Sequence, residues 1–293
     1  MKKIGFLIML ICFILCMNTL SFAAVYGDAD ADNVLTANDA SVVLFHRYFG
    51  FDTLDAQISN FCENLKQQGK YTIEDCTQCL YSDINRTKAD FTVGSIRKWT
   101  GTPDGGFIVS RYCCLENKPQ RPDKVLEDAK VRASYAKYRF LVENQGDKAT
   151  MLSMYRYAED ILDNQRELFT ISEMSSKVQA NLDVEGLKKK RRLNYNLLQD
   201  NLRAPVQPLF SLNEGKETPL YFPIIVEDRD ALQRHLVQNA VYAPIVWPKD
   251  DKQPLVYEGA ENAYNHLLCI PIDQRYDADD MYRIVDVINN YYK

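Results

Sequence analysis

The chain has 293 residues, 46% of them hydrophobic and 26% charged, with a formal net charge of −5. That is an ordinary globular composition, enough for one large domain or two smaller ones. The acidic balance argues against a general nucleic-acid binder and is silent on small substrates.

In chain order, the first predicted element is a secretory signal over residues 1–23. Lys2 and Lys3 precede an apolar run from Ile4 to Met17, and the Ser21-Phe22-Ala23 stretch places small residues where a signal peptidase reads. The run is short for a membrane span, and an uncleaved anchor is the alternative. It predicts a secreted or cell-surface protein. Of eight cysteines, Cys12 and Cys16 fall in this signal, leaving Cys62, Cys76, Cys79, Cys113, Cys114 and Cys269. An adjacent pair and a close C-x-x-C do not read as an exported disulfide framework. The body therefore has a cytoplasmic style of cysteine use behind an export signal.

Residues 24–44 form the next segment. Asp28, Asp30, Asp32 and Asp39 take positions 1, 3, 5 and 12 of an EF-hand-type loop, with the Val34 carbonyl at 7 and Thr36 at 9. Calcium is a hard cation, and alternate positions in a tight loop cluster the oxygens it needs. The stretch resembles one repeat of a bacterial type I dockerin, which implies calcium and a cohesin-like partner. Asn33 replaces the usual glycine at position 6, and residues 82–91 lack the spacing of a second repeat.

VVLFHRYFGFD (42–52) reads either as the dockerin helix or as a strand entering another domain. From Thr53 to Gly69 the pattern is helical, with Leu54, Ile58, Phe61 and Leu65 on one face and Gly69 as the stop. Strands are predicted ending at Asp75, over 90–96 and over 105–110, an alternation that implies a parallel α/β layer. Helices are predicted over 123–144, 151–168, 183–202 and 228–239, with a strand over 219–226. The last helix opens at Asp277 with Asp280 completing a capping box, and Met281, Ile284, Val285 and Ile288 form its buried stripe.

Two residues carry the chemistry. Asp75 stands at the carboxyl end of a predicted buried strand, where open α/β sheets bind ligands. Lys98 follows the next strand-like run, seven residues ahead of the pair Gly105 and Gly106. An acid and a lysine on neighbouring strand ends suit pyridoxal phosphate: the amine forms a Schiff base with the aldehyde, and the carboxylate pairs with the protonated ring nitrogen. Such an amine needs partial desolvation to react near neutrality.

These motifs resemble the DegT/StrS family of fold-type I, pyridoxal-phosphate-dependent aminotransferases, which commonly act on keto sugars. The resemblance runs from about Leu44 to the C-terminus. It rests on the D-x-x-Q of Asp75 and Gln78, a lysine approached by a strand, the glycine pair, and the tail segments YFPIIVEDRDALQRHL, VYAPIVWP and LCIPIDQRYDADDMYRIVDVI. It implies an α/β fold: a partial large domain over 45–180 and a small α+β domain over 181–293, with RRLNYNLL in the helix leading into the latter. It assigns the pyridine nitrogen to Asp75, the ring-oxygen region to Gln78, and the Schiff base and proton shuttle to Lys98; Ser95, three residues before the lysine, is a candidate phosphate contact by position, although the family usually places its serine elsewhere. It implies a homodimer with shared sites, an amino-acid donor and a keto acceptor. The stretch before the acid is short for the family, since 51 residues separate Ala24 from Asp75. The expectation is a large domain lacking its front part, with the phosphate-gripping helix N-terminus and ring-stacking residue missing, so that the pocket is only partly encoded and truncation could leave it inactive.

Two alternatives stand beside that reading, an exported calcium-dependent binding module and a gene-fusion remnant without activity. Cys76 and Cys79 could be redox-active or bind metal, but no second pair stands at zinc spacing and packing is the simpler role. His46, His235 and His266 read as isolated, KKKRR (188–192) as a solvated helix face, and Trp99 and Trp247 as packing residues.

Overall fold

The computed structural model of the protein describes residues 42–54, 57–112, 118–213, 215–246 and 258–293. The predicted signal, the calcium-loop residues Asp28, Asp30, Asp32, Val34, Thr36 and Asp39, and Cys113, Cys114 and Trp247 lie outside them. In chain order the elements are β1 (Val42–His46), α1 (Ile58–Gln67), β2 (Tyr71–Asp75), β3 (Phe91–Ser95), β4 (Gly106–Ser110), α2 (Lys124–Leu141) and α3 (Lys148–Asp163). They continue with α4 (Glu173–Ala180), α5 (Val184–Asn201), β5 (Tyr221–Ile225), α6 (Arg229–Gln238), α7 (Glu258–His266), β6 (Leu267–Pro271) and α8 (Ala278–Tyr291). Among the described residues no helix is long and apolar enough to cross a membrane.

The chain divides into two compact units. One is Ala89–Leu182; the other joins the segment ending at Lys88 to Asp183–Lys293. In the two-segment unit, VVLFH is a strand, which settles the helix-or-strand alternative. β1 and β2 pair in parallel from Val42 opposite Tyr71 to His46 opposite Asp75. Their connection carries α1, the crossover that a parallel pair requires. The helix ends as predicted: Gly69 at φ +74° closes it, Lys70 N–H reaches Leu65 C=O and Gly69 N–H reaches Lys66 C=O. This is the pattern of a left-handed C-terminal cap. The predicted buried face needs correction. Cys62 and Leu65 are buried, three residues apart, whereas Phe61, about 100° round the helix from Cys62, is exposed.

The second segment of this unit packs α5, α6 and α8 around the antiparallel pair β5–β6, with Phe222, Ile224, Leu232, Leu236, Leu268 and Ile270 fully buried. α8 starts as predicted, with Asp277 and Asp280 exchanging backbone N–H bonds at 3.1 Å, and Met281, Ile284, Val285 and Ile288 buried. Phe49 and Phe51 of the first segment belong to the same core. Phe51 stacks on Phe210 at 4.9 Å and meets Tyr195 at 5.5 Å. Each such burial is worth about 1.5–3 kcal/mol.

The basic run 188–192 is only in part the solvated face expected of it: Lys189 is exposed, but two of its members turn inward. Lys188 is buried and pairs with Asp83 at 2.9 Å and Glu185 at 3.0 Å. Arg191 is buried and donates to the Leu220 and Pro219 carbonyls and to Gln274 Oε1. Burial pushes its guanidinium down to about 10. Carbonyls that end no strand need donors, and α5 supplies them from its core-facing side.

In the other unit β3 and β4 are antiparallel, from Phe91 opposite Ser110 to Ser95 opposite Gly106. The uniformly parallel layer is therefore corrected: residues 96–105 are too few for a helical crossover, and a short link returns antiparallel. α2 and α3 form a helical hairpin. Asp123 and Asp147 cap their N-termini, and Ser172 caps α4.

Candidate functional site

Asp75 closes β2, and the parallel register sets it opposite His46. His46 Nδ1 lies 3.2 Å from Asp75 Oδ2, and the Thr77 N–H donates to Asp75 Oδ1 at 2.8 Å. Burial alone would raise the Asp75 carboxyl. The His46 hydrogen bond and charge, together with Thr77, outweigh burial and hold it below its ordinary value. Asp75 is thus a buried anion at neutral pH, at the carboxyl end of a parallel strand. The Tyr48 and His46 rings meet edge to face, with their centroids 4.9 Å apart.

Glu74 does different work. Neighbouring strand side chains point to opposite faces, and Glu74, fully buried, accepts from Arg47 Nε at 2.8 Å and from Thr87 N–H and Oγ at 3.0 and 2.9 Å. Arg47 also binds Asp52 and the Asn85 carbonyl. The network ties both strand ends to residues 85–87.

Gln78 sits in the turn after β2, where its Oε1 accepts from the Phe49 N–H at 2.8 Å. The amide nitrogen remains available to donate. Phe49 and Gly50 both adopt left-handed backbone, and Leu220 N–H reaches the Phe49 carbonyl at 2.7 Å. A Cβ on Gly50 would stand 2.0 Å from the Thr218 carbonyl oxygen, so only glycine fits.

Cys76 and Cys79 flank this turn as buried free thiols, as are Cys62 and Cys269. Burial pushes Cys76 up to about 12 and Cys79 up to about 11, the latter partly offset by Arg86, which donates to its Sγ at 2.9 Å. Burial that disfavours the thiolate suits a packing role for both. Iodoacetamide at pH 8 is expected to leave all four unmodified in the native protein and to modify them on denaturation; peptide mapping reads the result, and rapid native alkylation at Cys76 or Cys79 would contradict it. The other histidines are structural. The His266 ring meets the Val226 carbonyl at 3.2 Å, and the His235 ring packs on Tyr291 at 5.0 Å.

Lys98 ends a single 3-10 turn, Ile96–Lys98, directly after β3. Its neighbours alternate in direction. Ile96 and Trp99 are buried, Arg97 is half-buried and Lys98 is exposed. Trp99 N–H and Thr100 N–H both reach the Ile96 carbonyl, and Ile96 N–H reaches Gly105 C=O. Gly105, at φ +115°, lets the returning strand close against Ile96 and Ile171. Ser95 is half-buried in β3 opposite Gly106.

The structure therefore brings Asp75 and Gln78 together with His46 and Phe49 in the two-segment unit, and places Ser95 and Lys98 in the other. His46 escaped sequence reasoning. The signal that finds it is two five-residue strands ending on complementary polar groups, once they are paired in register.

No protein-family model and no curated protein sequence matches the chain. Solved structures do. The sugar aminotransferase CalS13 from Micromonospora echinospora aligns with TM-score 0.53 and 16% identity, covering 93% of this chain and 73% of that one. The aminotransferase TlmJ from Streptoalloteichus hindustanus aligns with TM-score 0.55 and 17% identity, over 85% of this chain and 65% of that one. PseC from Helicobacter pylori, an aminotransferase involved in the biosynthesis of pseudoaminic acid, gives TM-score 0.55 and 15% identity, over 85% and 66%. The chain has the fold of these aminotransferases, across 65–73% of their length.

Proposed function

We propose that the chain is an aminotransferase-type protein that binds pyridoxal phosphate and moves an amino group from an amino-acid donor to a keto acceptor, a keto sugar by analogy with its structural neighbours. The observation that carries the reading is Asp75, a buried carboxylate held ionised by His46 and Thr77. The cofactor, when bound, supplies an electron sink for carbanion chemistry.

Taken one by one, the residues have the chemistry that group needs. An anionic Asp75 suits a protonated ring nitrogen, and a neutral acid there would not. The Gln78 amide, its oxygen fixed by Phe49 N–H, can donate toward a ring oxygen. Lys98 presents an amine that can hold an aldehyde and take or return a proton at Nζ. Its exposure in the single chain fits a homodimer in which the second subunit desolvates the amine. Export behind residues 1–23 is part of the proposal.

Mixing the protein with pyridoxal phosphate, reducing with borohydride and mapping the product is expected to label Lys98 selectively. Lys98→Ala is expected to abolish the selective label. Scattered labelling of surface lysines, or an unchanged label pattern in the variant, would overturn the assignment.

A further inference from the structure

We propose that Glu159, on α3, is a positioning residue for Lys98 and acts through Arg97; the inference rests on the reading of Lys98 as the cofactor lysine. Arg97 Nη1 lies 3.9 Å from Glu159 Oε1, and the same oxygen receives the ammonium of Lys130. Lys130 reaches it from α2 with its side chain almost wholly buried. Glu159 thus joins both helices of the hairpin to the residue that precedes Lys98.

The consequence lies in the geometry of a 3-10 turn. With three residues per turn, successive side chains point about 120° apart. Ile96 and Trp99 anchor one side of the turn in the core. Holding Arg97 toward α3 fixes the remaining rotation and leaves Lys98 facing outward. Two further ties close the loop. Gln179 on α4 donates to Thr100 Oγ1 at 3.0 Å, and Thr100 Oγ1 donates to the Ile96 carbonyl at 3.2 Å. Asp104 accepts from the Ser172 N–H at 3.0 Å and hydroxyl at 2.8 Å. Those ties hold the frame of the loop, and the Glu159–Arg97 pair is the tie next to the lysine itself. Asp163, one turn further along α3, feels the same charges: burial, Glu159 and Asp160 hold its carboxyl above its ordinary value, with Lys130 and Arg97 partly offsetting them.

The test compares wild type, Glu159→Gln, Arg97→Gln and Arg97→Lys in the full chain. Two readouts are taken: the share of pyridoxal-phosphate label trapped on Lys98 relative to other lysines, and deuterium uptake of the peptide spanning 94–104 without cofactor. Both glutamine variants are expected to lower the Lys98 share and raise uptake about two- to five-fold, the range of a partly exposed ion pair, with little change in Tm. Arg97→Lys is expected to restore most of the loss. Unchanged share and uptake in both variants would overturn the proposal. So would a loss in Glu159→Gln without one in Arg97→Gln, which would assign the effect to Lys130. A wild type that never labels Lys98 would overturn the cofactor reading instead, and uptake alone would then decide whether Glu159 holds the turn.

Discussion

Replacing Arg47 by alanine is expected to lower folding stability by about 3–5 kcal/mol, the usual effect of leaving a buried carboxylate without its cation. Glu74 is fully buried, and its Oε1 has Arg47 Nε at 2.8 Å. Thr87 would still donate to Oε2 through its N–H and hydroxyl, which places the result toward the lower end of that range. The substitution also frees the Asn85 carbonyl from its 2.7 Å donor. Urea unfolding at neutral pH measures the change, and the companion double variant Arg47→Met, Glu74→Leu separates two explanations. If the loss comes from the stranded charge, the double variant recovers most of it, because apolar replacement of both partners of a buried pair is often neutral. If the double variant is as unstable as the single one, the network contributes by tying the strand ends to residues 85–87, and the charge account fails.

Asp75→Asn is expected to weaken binding of pyridoxal phosphate by roughly thirty-fold or more, since truncating one member of a buried charge pair costs about 2–5 kcal/mol. The amide keeps the shape of the carboxylate and can still accept from the Thr77 N–H, so the fold is expected to survive with a similar Tm. What it removes is the fixed negative charge that His46 and Thr77 maintain against burial. Equilibrium titration followed by cofactor absorbance reads the affinity. Equal affinity in wild type and variant would show that Asp75 does not meet the ring nitrogen, and that its ionised state serves the β1–β2 pair alone.

The two residues on which the functional reading turns stand out in the amino-acid sequence itself. Asp75 lies at the end of a short strand-like stretch that closes on two acids, and Lys98 follows a second strand-like run and precedes a glycine pair; local pattern suffices for each. Local pattern also found the Asp277–Asp280 capping box, because both partners sit within one helical turn. It failed wherever the partner is distant in sequence. His46 and Asp75 meet only through strand register, Glu74 finds Arg47 across 27 residues, and Arg97 finds Glu159 through the packing of a different element. The basic run on α5 misled for the same reason. Nothing local distinguishes Arg191, which faces two carbonyls contributed by residues 219 and 220, from a lysine facing water. Phe61 misled in the opposite direction, since an apolar side chain beside the buried stripe looks like part of it.

The two-segment unit has a consequence for synthesis. Its first strands emerge from the ribosome before residues 89–182, and the segment that buries Phe49 and Phe51 follows them. At 5–20 residues per second, about ninety intervening residues hold the β1–β2 pair without its core for roughly 5–20 seconds. During that interval a nascent chain exposes two aromatic rings that the finished protein hides. Chaperone binding to stalled chains ending between residues 89 and 182 would therefore centre on the Phe49–Phe51 stretch and fade once α5 and β5 have emerged.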